Sequence, residues 1–285
     1  MQGDILLNIR AAYNQFTKAE KRVADYILKC PKDVLFMSIT DLAEACSVGD
    51  TSVFRFCKTI NMKGYQEFKM TLSLSLHDGE EGGVGRLEGN VSLEDSFSEL
   101  SRKVLNINVN ALTETYSLLN EKDFLKAISY LRQAERICFF GVGASLLAAL
   151  KAANKFLRIE PKVYCMQDSH MQAMVASMIK KEDVAVLFSY SGATKDTIHV
   201  AELAKKAGAK IICITRFAKS PLTSYSDLVF LCGANEGPLQ GGSTSAEISQ
   251  LFLIDLLYSE YYRCCYEVCS KNNEKTSASV LAKLY

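Results

Sequence analysis

Apolar positions in the first 77 residues recur at helical spacing. Ile5, Ile9, Tyr13 and Phe16 fall three or four residues apart, as do Val23, Ala24, Ile27 and Leu28, the period of helices that each bury one stripe. Thr17 followed by Glu20 predicts a capping box at the start of the second helix, and Pro31 ends it. Residues 93–119 and 121–134 again read as helices. The texture changes at Arg136. Short apolar runs (RICFFGVG, KVYCM, VAVLFSYSG, KIICIT and DLVFLC) alternate with helical segments ending near Leu157, Ile179 and Ala207, and a long helix follows around 251–262. Buried β runs separated by helices predict βαβ units, hence a doubly wound parallel sheet with helices on both faces. The predicted architecture is an all-α head over residues 1–77 and an α/β body over 93–285. Between them, residues 78–92 carry glycines at 79, 82, 83, 85 and 89, too costly in backbone entropy for a regular element, and read as a flexible linker.

A chain of 285 residues, 48% of them hydrophobic, has enough apolar material for two cores. Its net charge of +1 advertises no nucleic acid, so any DNA contact has to come from a local patch. Cys138, Cys213 and Cys232 sit inside apolar runs and read as small buried hydrophobes. No cysteine spacing fits a zinc site, and the group Cys264, Cys265 and Cys269 reads as helix packing before metal binding. The opening MQGDILLNIR lacks the pattern of a secretory signal, and no run reaches the roughly 18 apolar residues of a membrane span. The expected setting is cytoplasmic and reduced, without membrane contact.

Residues 38–60, SITDLAEACSVGDTSVFRFCKTI, have the form of a helix-turn-helix. Ser38 is an N-cap candidate, with Leu42, Ala43 and Cys46 on the inner face. Ser47 to Asp50 forms a tight turn, with Asp50 or Thr51 capping a second helix whose inward positions include Val53, Phe54 and Cys57. Phe56 is assigned to the core. Thr51, Ser52, Arg55 and Lys58 lie on the opposite face. Short polar residues at a helix start can meet phosphates, and an arginine can offer two donors to a guanine edge. Lys63, Tyr65 and Lys69 are further candidates for contact with the DNA backbone. Over 51–69 four basic residues stand against the single Glu67. A generic helical hairpin with a basic solvated face is the alternative.

The sharpest motif in the body runs from Ser189 to Thr197, SYSGATKDT, after an apolar strand and into a helix. A phosphoryl group needs several donors converging on one point. Hydroxyls of Ser189, Ser191 and Thr194, backbone N–H groups and the helix dipole supply them, and Gly192 permits close approach and an unusual φ. Thr197 completes the motif in the first turn of the helix. A second loop, GVGAS over 141–145, brings Gly143 and Ser145 to the end of the first strand. Its missing third glycine (Leu146) argues against a dinucleotide fold, although Asp168 keeps that alternative open. GGSTS over 241–245, with Ser245, is a third candidate wall. His170 is a candidate ligand contact, as is Glu247.

With these motifs in place, the chain resembles the RpiR family of bacterial regulators along essentially its full length. SITDLAEACSV, TSVFRFCKTI and MKGYQEFK carry the N-terminal match. FFGVGAS, LFSYSGATKDT, KIICIT, SPL at 220–222 and STSAEISQLFLIDLLY carry a C-terminal match to a SIS (sugar isomerase) domain. The resemblance implies a SIS-type, flavodoxin-like three-layer body that senses a phosphorylated sugar effector. It also implies a homodimer or homotetramer acting on a double-stranded DNA operator, with no cofactor. Carried onto matching positions, Ser145, Ser189, Ser191 and Thr194 contact the ligand, and Thr51, Ser52, Arg55 and Lys58 face DNA. Ser47 departs from the glycine often found in such turns, and Gly49 is expected to absorb the strain. SIS domains also serve aldose–ketose isomerases, which need a base near the sugar carbons. Glu247 is the best candidate for that role, ahead of His77, His170 and His199. A free-standing isomerase has no need of the head, so the reading is a regulator and not an enzyme.

Overall fold

The computed structural model describes residues 4–78, 91–234, 236–238, 241–281 and 283. Most of the predicted linker, residues 79–90, lies outside the described residues. Two compact units result: 1–107 with 235–243, and 108–234 with 244–285.

The first unit opens with α1 (Ile5–Ala12) and a turn of 3-10 helix. It continues through α2 (Lys18–Lys29), α3 (Pro31–Val34), α4 (Ile39–Ala45), α5 (Asp50–Thr59) and α6 (Tyr65–Asp78). Both predicted starts are locked by reciprocal hydrogen bonds. Thr17 caps α2 with Glu20, and Ser38 caps α4 with Asp41, each pair satisfying two N–H groups at the helix end. Pro31, expected only to end α2, also occupies the first turn of α3, where its missing N–H costs nothing. Ile5, Ile9, Val23, Ile27, Leu42, Val53 and Phe68 surround Phe56 in a single core. The rings of Phe16 and Phe68 stand 5.2 and 6.0 Å from that of Phe56.

Three expectations for the head change. Phe54 is not inward but 44% exposed, whereas Phe56 is fully buried. Tyr65 and Lys69 are not on the DNA face, because α6 turns both into the core. The Tyr65 hydroxyl donates to the carbonyl oxygens of Val34 and Met37, and Lys69 Nζ donates to Met37 O at 3.1 Å. Finally, Ser47 itself adopts a left-handed φ of 53°, while Gly49 is extended at φ −86° and, in place of Asp50 or Thr51, is the N-cap residue of α5, with no side-chain cap. Ser47 N–H bonds to Glu44 O and Val48 N–H to Ala43 O, the paired bonds of a Schellman ending.

Helix α7 (Phe97–Ser117) runs across the division between the units, and α8 (Glu121–Gln133) follows it. The second unit then alternates β1 (Ile137–Gly141), α9 (Ala144–Leu157), β2 (Val163–Cys165), α10 (Ser169–Ser177), β3 (Val184–Phe188), α11 (Lys195–Lys206), β4 (Lys210–Thr215) and β5 (Leu228–Leu231). Two helices, α12 (Thr244–Cys264) and α13 (Tyr266–Leu281), close it. The sheet is wholly parallel in the order β2-β1-β3-β4-β5. Every residue of β1 and β3 is buried, as a sheet covered on both faces requires. Phe139, Val186 and Ile212 pack on one face with residues of α8, α9 and α12. Cys138, Phe140, Ala185 and Ile211 pack on the other with α10 and α11. The body is therefore doubly wound, as the pattern predicts.

Two outcomes follow for the head. A Cβ in the left-handed region costs about 1–2 kcal/mol, partly offset in glycine by the freedom of its unfolded chain, so Ser47→Gly should stabilise the head by about 0.5–1 kcal/mol. Urea titration checks the sign, and a loss of stability contradicts it. Burial draws the Lys69 ammonium down to about 8, against the opposing charge of Asp41. The folded value lies below the unfolded one, so the cost of the buried cation is complete below pH 8 and gone above about 10.5. Stability from this group thus rises across that window. Lys69→Met should raise the melting temperature at pH 7, by the equivalent of roughly 1–3 kcal/mol, and much less near pH 10.

Candidate functional site

Strand order reverses at β1, which pairs with β2 on one side and β3 on the other. Helix α9 leaves β1 for one face of the sheet, and α10 and α11 leave β2 and β3 for the other. The loops after β1 and β3 therefore diverge at the carboxyl ends of adjacent strands, the place where open α/β sheets hold ligands. Both glycine–serine motifs lie there.

The loop after β3 is bolted down along its length. Ser189 N–H bonds to Ile214 O, and Tyr190 O accepts from Arg216 N–H and from the Thr215 hydroxyl at 3.1 Å. The Tyr190 hydroxyl reaches Ala234 O at 2.7 Å. Gly192 has φ 60°, and a Cβ there would collide with Ser220 Oγ and Cβ. Its N–H bonds to Ser189 O, and its carbonyl accepts from Leu222 N–H at 3.0 Å. Only glycine suits this position, on both conformational and steric grounds.

Within that loop the predicted hydroxyls do come together. Ser189 Oγ and Thr194 Oγ1 lie 3.4 Å apart, and Ser191 Oγ accepts from Ala193 N–H at 3.2 Å. Thr194 is the N-cap residue of α11, but its side chain caps nothing in the helix. The first-turn N–H groups of α11 add the positive end of a twelve-residue helix. Thr197, in that first turn, is buried, and among the described residues its hydroxyl has no hydrogen-bond partner.

In the loop after β1 the two glycines have different reasons. A Cβ on Gly141 would lie 2.5 Å from Ser145 O, so its absence lets α9 start directly over the strand end. Gly143 is the N-cap residue of α9 with φ 60° and open space around its Cα. Ser145 is half-buried in the first turn of α9. Gln172, missed by sequence reasoning, is buried and ties this loop to the next: its Nε2 donates to Gly141 O at 2.8 Å and Met166 O at 3.0 Å. Thr215 and Ser220 were missed as well. A serine in SPL was visible, but its role as the wall behind Gly192 depends on a contact 28 residues away.

The remaining candidates sit on helix starts. His170 is exposed in the first turn of α10, behind the N-cap Asp168. Ser245 is buried and Glu247 half-buried in the first turn of α12. His199 is exposed, 4.0 Å from Glu202. All ten cysteines are free thiols. Burial pushes Cys57, Cys138, Cys213 and Cys232 up to about 12, which leaves them as packing groups. Among the described residues no cluster of His, Cys, Asp or Glu is arranged to hold a metal ion.

In the head, α5 follows α4 through the Ser47 turn. Val53, Phe56 and Cys57 face the core, while Thr51, Arg55 and Lys58 are exposed and Ser52 is half-buried. Lys63 is exposed in the loop before α6, its N–H bonded to the Glu67 carboxylate. Five of the six residues expected on the DNA face therefore remain accessible, and Tyr65 does not. No described helix is long and apolar enough to cross a membrane.

Comparison with known proteins accords with both halves. Residues 3–79 match a helix-turn-helix domain of the rpiR family, and residues 130–260 match a SIS domain. An HTH-type transcriptional regulator of Haemophilus influenzae is 34% identical over 279 residues, 98% of this chain and 97% of the relative. The HTH-type transcriptional regulator HexR of Pseudomonas aeruginosa is 34% identical, covering 89% of this chain and 87% of its own. Among solved structures, the Vibrio vulnificus NanR protein complexed with ManNAc-6P superposes with a TM-score of 0.87 at 30% identity, covering 98% of this chain and 99% of that one.

The two left-handed glycines make a paired test. Gly143→Ala meets no described atom and should cost only the backbone strain of a φ, ψ (60°, −132°) that other residues avoid, about 1–3 kcal/mol. Gly192→Ala adds to its own positive-φ strain a collision with Ser220, so its melting temperature should fall clearly further. Equal losses in the two variants contradict the wedge.

Proposed function

The chain belongs to the RpiR family of helix-turn-helix transcriptional regulators, and we propose that a phosphorylated sugar held at the body's strand ends controls how its helical heads engage an operator. The observation that carries this reading is the loop from Ser189 to Thr194. It is a turn of hydroxyls and backbone N–H groups at the start of α11, held by its own backbone and by the end of β4. Phosphoryl oxygens placed there would accept from these hydroxyls and N–H groups at the positive end of the α11 dipole. NanR, complexed with ManNAc-6P, is a relative of nearly the same length carrying such a ligand.

On this reading Ser189, Ser191, Gly192, Thr194 and Thr197 receive the phosphoryl group. Gly143 and Ser145 line the adjoining loop, Ser245 closes a further side, and His170 and Glu247 touch the sugar. Thr51, Ser52, Arg55, Lys58 and Lys63 meet DNA. Arg55 reads a base edge, and the lysines hold phosphates. The protein works in the cytoplasm as a homodimer or homotetramer, so that two heads meet half-sites about one helical turn apart. It needs no cofactor, and its output is a change in DNA affinity instead of turnover. Relatives covering nearly the whole chain are named transcriptional regulators, which supports a sensor over an isomerase.

The test is a melting-temperature and DNA-anisotropy titration of the full chain against a panel of sugar phosphates, including ManNAc-6P, with the unphosphorylated sugars as controls. At least one phosphosugar should raise the melting temperature and change affinity for the protein's own upstream DNA. Ser191→Ala and Thr194→Val should each weaken that ligand about tenfold, the loss of one charge-assisted hydrogen bond. If no sugar phosphate moves either signal, the sensor reading fails. Consumption of a sugar phosphate, lost on Glu247→Gln, supports the isomerase instead.

A further inference from the structure

The exposed ridge of α5 contains a residue that neither phosphate binding nor core packing explains. Thr51, Phe54, Arg55 and Lys58 lie outward at i, i+3, i+4 and i+7, opposite the buried Val53, Phe56, Cys57 and Ile60. Of the four ridge residues, Phe54 is the one apolar side chain, and it is 44% exposed. It is not a spill-over from the core. The interior beside α5 is already filled by Phe56, which is fully buried between the rings of Phe16 and Phe68.

The Phe54 ring is held in place without being covered. Lys58 Nζ stands 5.3 Å from its centroid, a cation–π distance. The ring edge lies against Gly64, where a Cβ would sit 3.5 Å from Phe54 Cε2. With only two side-chain torsions it loses little entropy when something docks on it. What docks there has to accept two cations, from Arg55 and Lys58, and an apolar ring beside them. A duplex offers that combination: phosphates flank the major groove, and the floor shows one apolar feature, the 5-methyl group of thymine.

We propose that Phe54 is a base-reading residue, its ring meeting a thymine methyl in the major groove next to the base edge contacted by Arg55. This rests on the reading of α5 as the recognition helix. Phe54 thereby sets specificity at one position of each half-site, and Lys58 fixes the ring while reaching for the backbone.

The experiment selects binding sites for the full chain from a random-sequence duplex library, in parallel for wild type, Phe54→Ala, Phe54→Leu and Arg55→Ala. Each protein's helical content and melting temperature are checked first. Affinity is then measured on the selected wild-type duplex and on copies carrying deoxyuridine in place of single thymines. Wild type should enrich one fixed thymine per half-site and lose affinity about fourfold when its methyl group is removed, the worth of one buried methyl. Phe54→Ala should bind both duplexes equally and select no base there, while keeping the position that Arg55→Ala loses. Phe54→Leu should retain part of the methyl preference. If Phe54→Ala selects the same motif with the same uridine sensitivity while Arg55→Ala loses it, the recognition helix stands and this inference falls. A wild-type protein that enriches no motif overturns both.

Discussion

Gly192 has no room for a side chain, and the body's site follows from that. Its left-handed turn is pressed against Ser220, its carbonyl accepts from Leu222 N–H, and the preceding Tyr190 carbonyl is held by Thr215 and Arg216. These contacts attach the loop after β3 to the end of β4 and to the segment behind it. The hydroxyls of Ser189, Ser191 and Thr194 are thus placed by the scaffold, and no ligand has to order the loop first. A site fixed in advance spends little of a ligand's binding energy on ordering. Gly141 does the same for the loop after β1 by letting α9 begin against the strand end.

The head follows a comparable logic with a carboxylate in the controlling role. Glu20 Oε2 caps α2 through Thr17, and its Oε1 accepts from the Thr59 hydroxyl at the far end of α5 at 2.7 Å. Burial alone would raise the Glu20 pKa, but hydrogen bonds from Thr17 and Thr59 and the charge of Arg55 together lower it. Arg22, donating to Ser47 O at 3.0 Å, holds the turn that leads into the start of α5. With both ends and the inner face of α5 determined, its outer face is free to carry residues chosen for a partner.

Much of this was legible in the sequence, for identifiable reasons. The Thr17–Glu20 box and the serine–glycine loop are local: spacing within nine residues defines them. The fully apolar runs of β1 and β3 announced a sheet covered on both sides. What stayed hidden depended on distant contacts or on a helix phase. Phe54 was expected inward beside Val53 and Cys57, but the i, i+3, i+4, i+7 stripe is Val53, Phe56, Cys57 and Ile60, and that phase turns Phe54 outward. Tyr65 and Lys69 look like surface residues beside a basic helix, but α6 begins directly at Tyr65 and rotates both into the core. Ser47 carries the left-handed strain because the Schellman bonds end at it, and the glycine two residues on has another task. Helix α13 was legible only at Cys269, read as helix packing, since the rest of its run YEVCSKNNEKTSASVL is mostly polar and buries nothing else.

The central claim is that the turn from Ser189 to Thr194, with the first turn of α11, receives a phosphoryl group. Backbone hydrogen exchange of the full chain, with and without the sugar phosphate that most raises its melting temperature, tests it most directly. New protection should concentrate in the N–H groups of residues 189–197, with less at 143–146. Protection confined to other segments of a chain that has bound the ligand would contradict it.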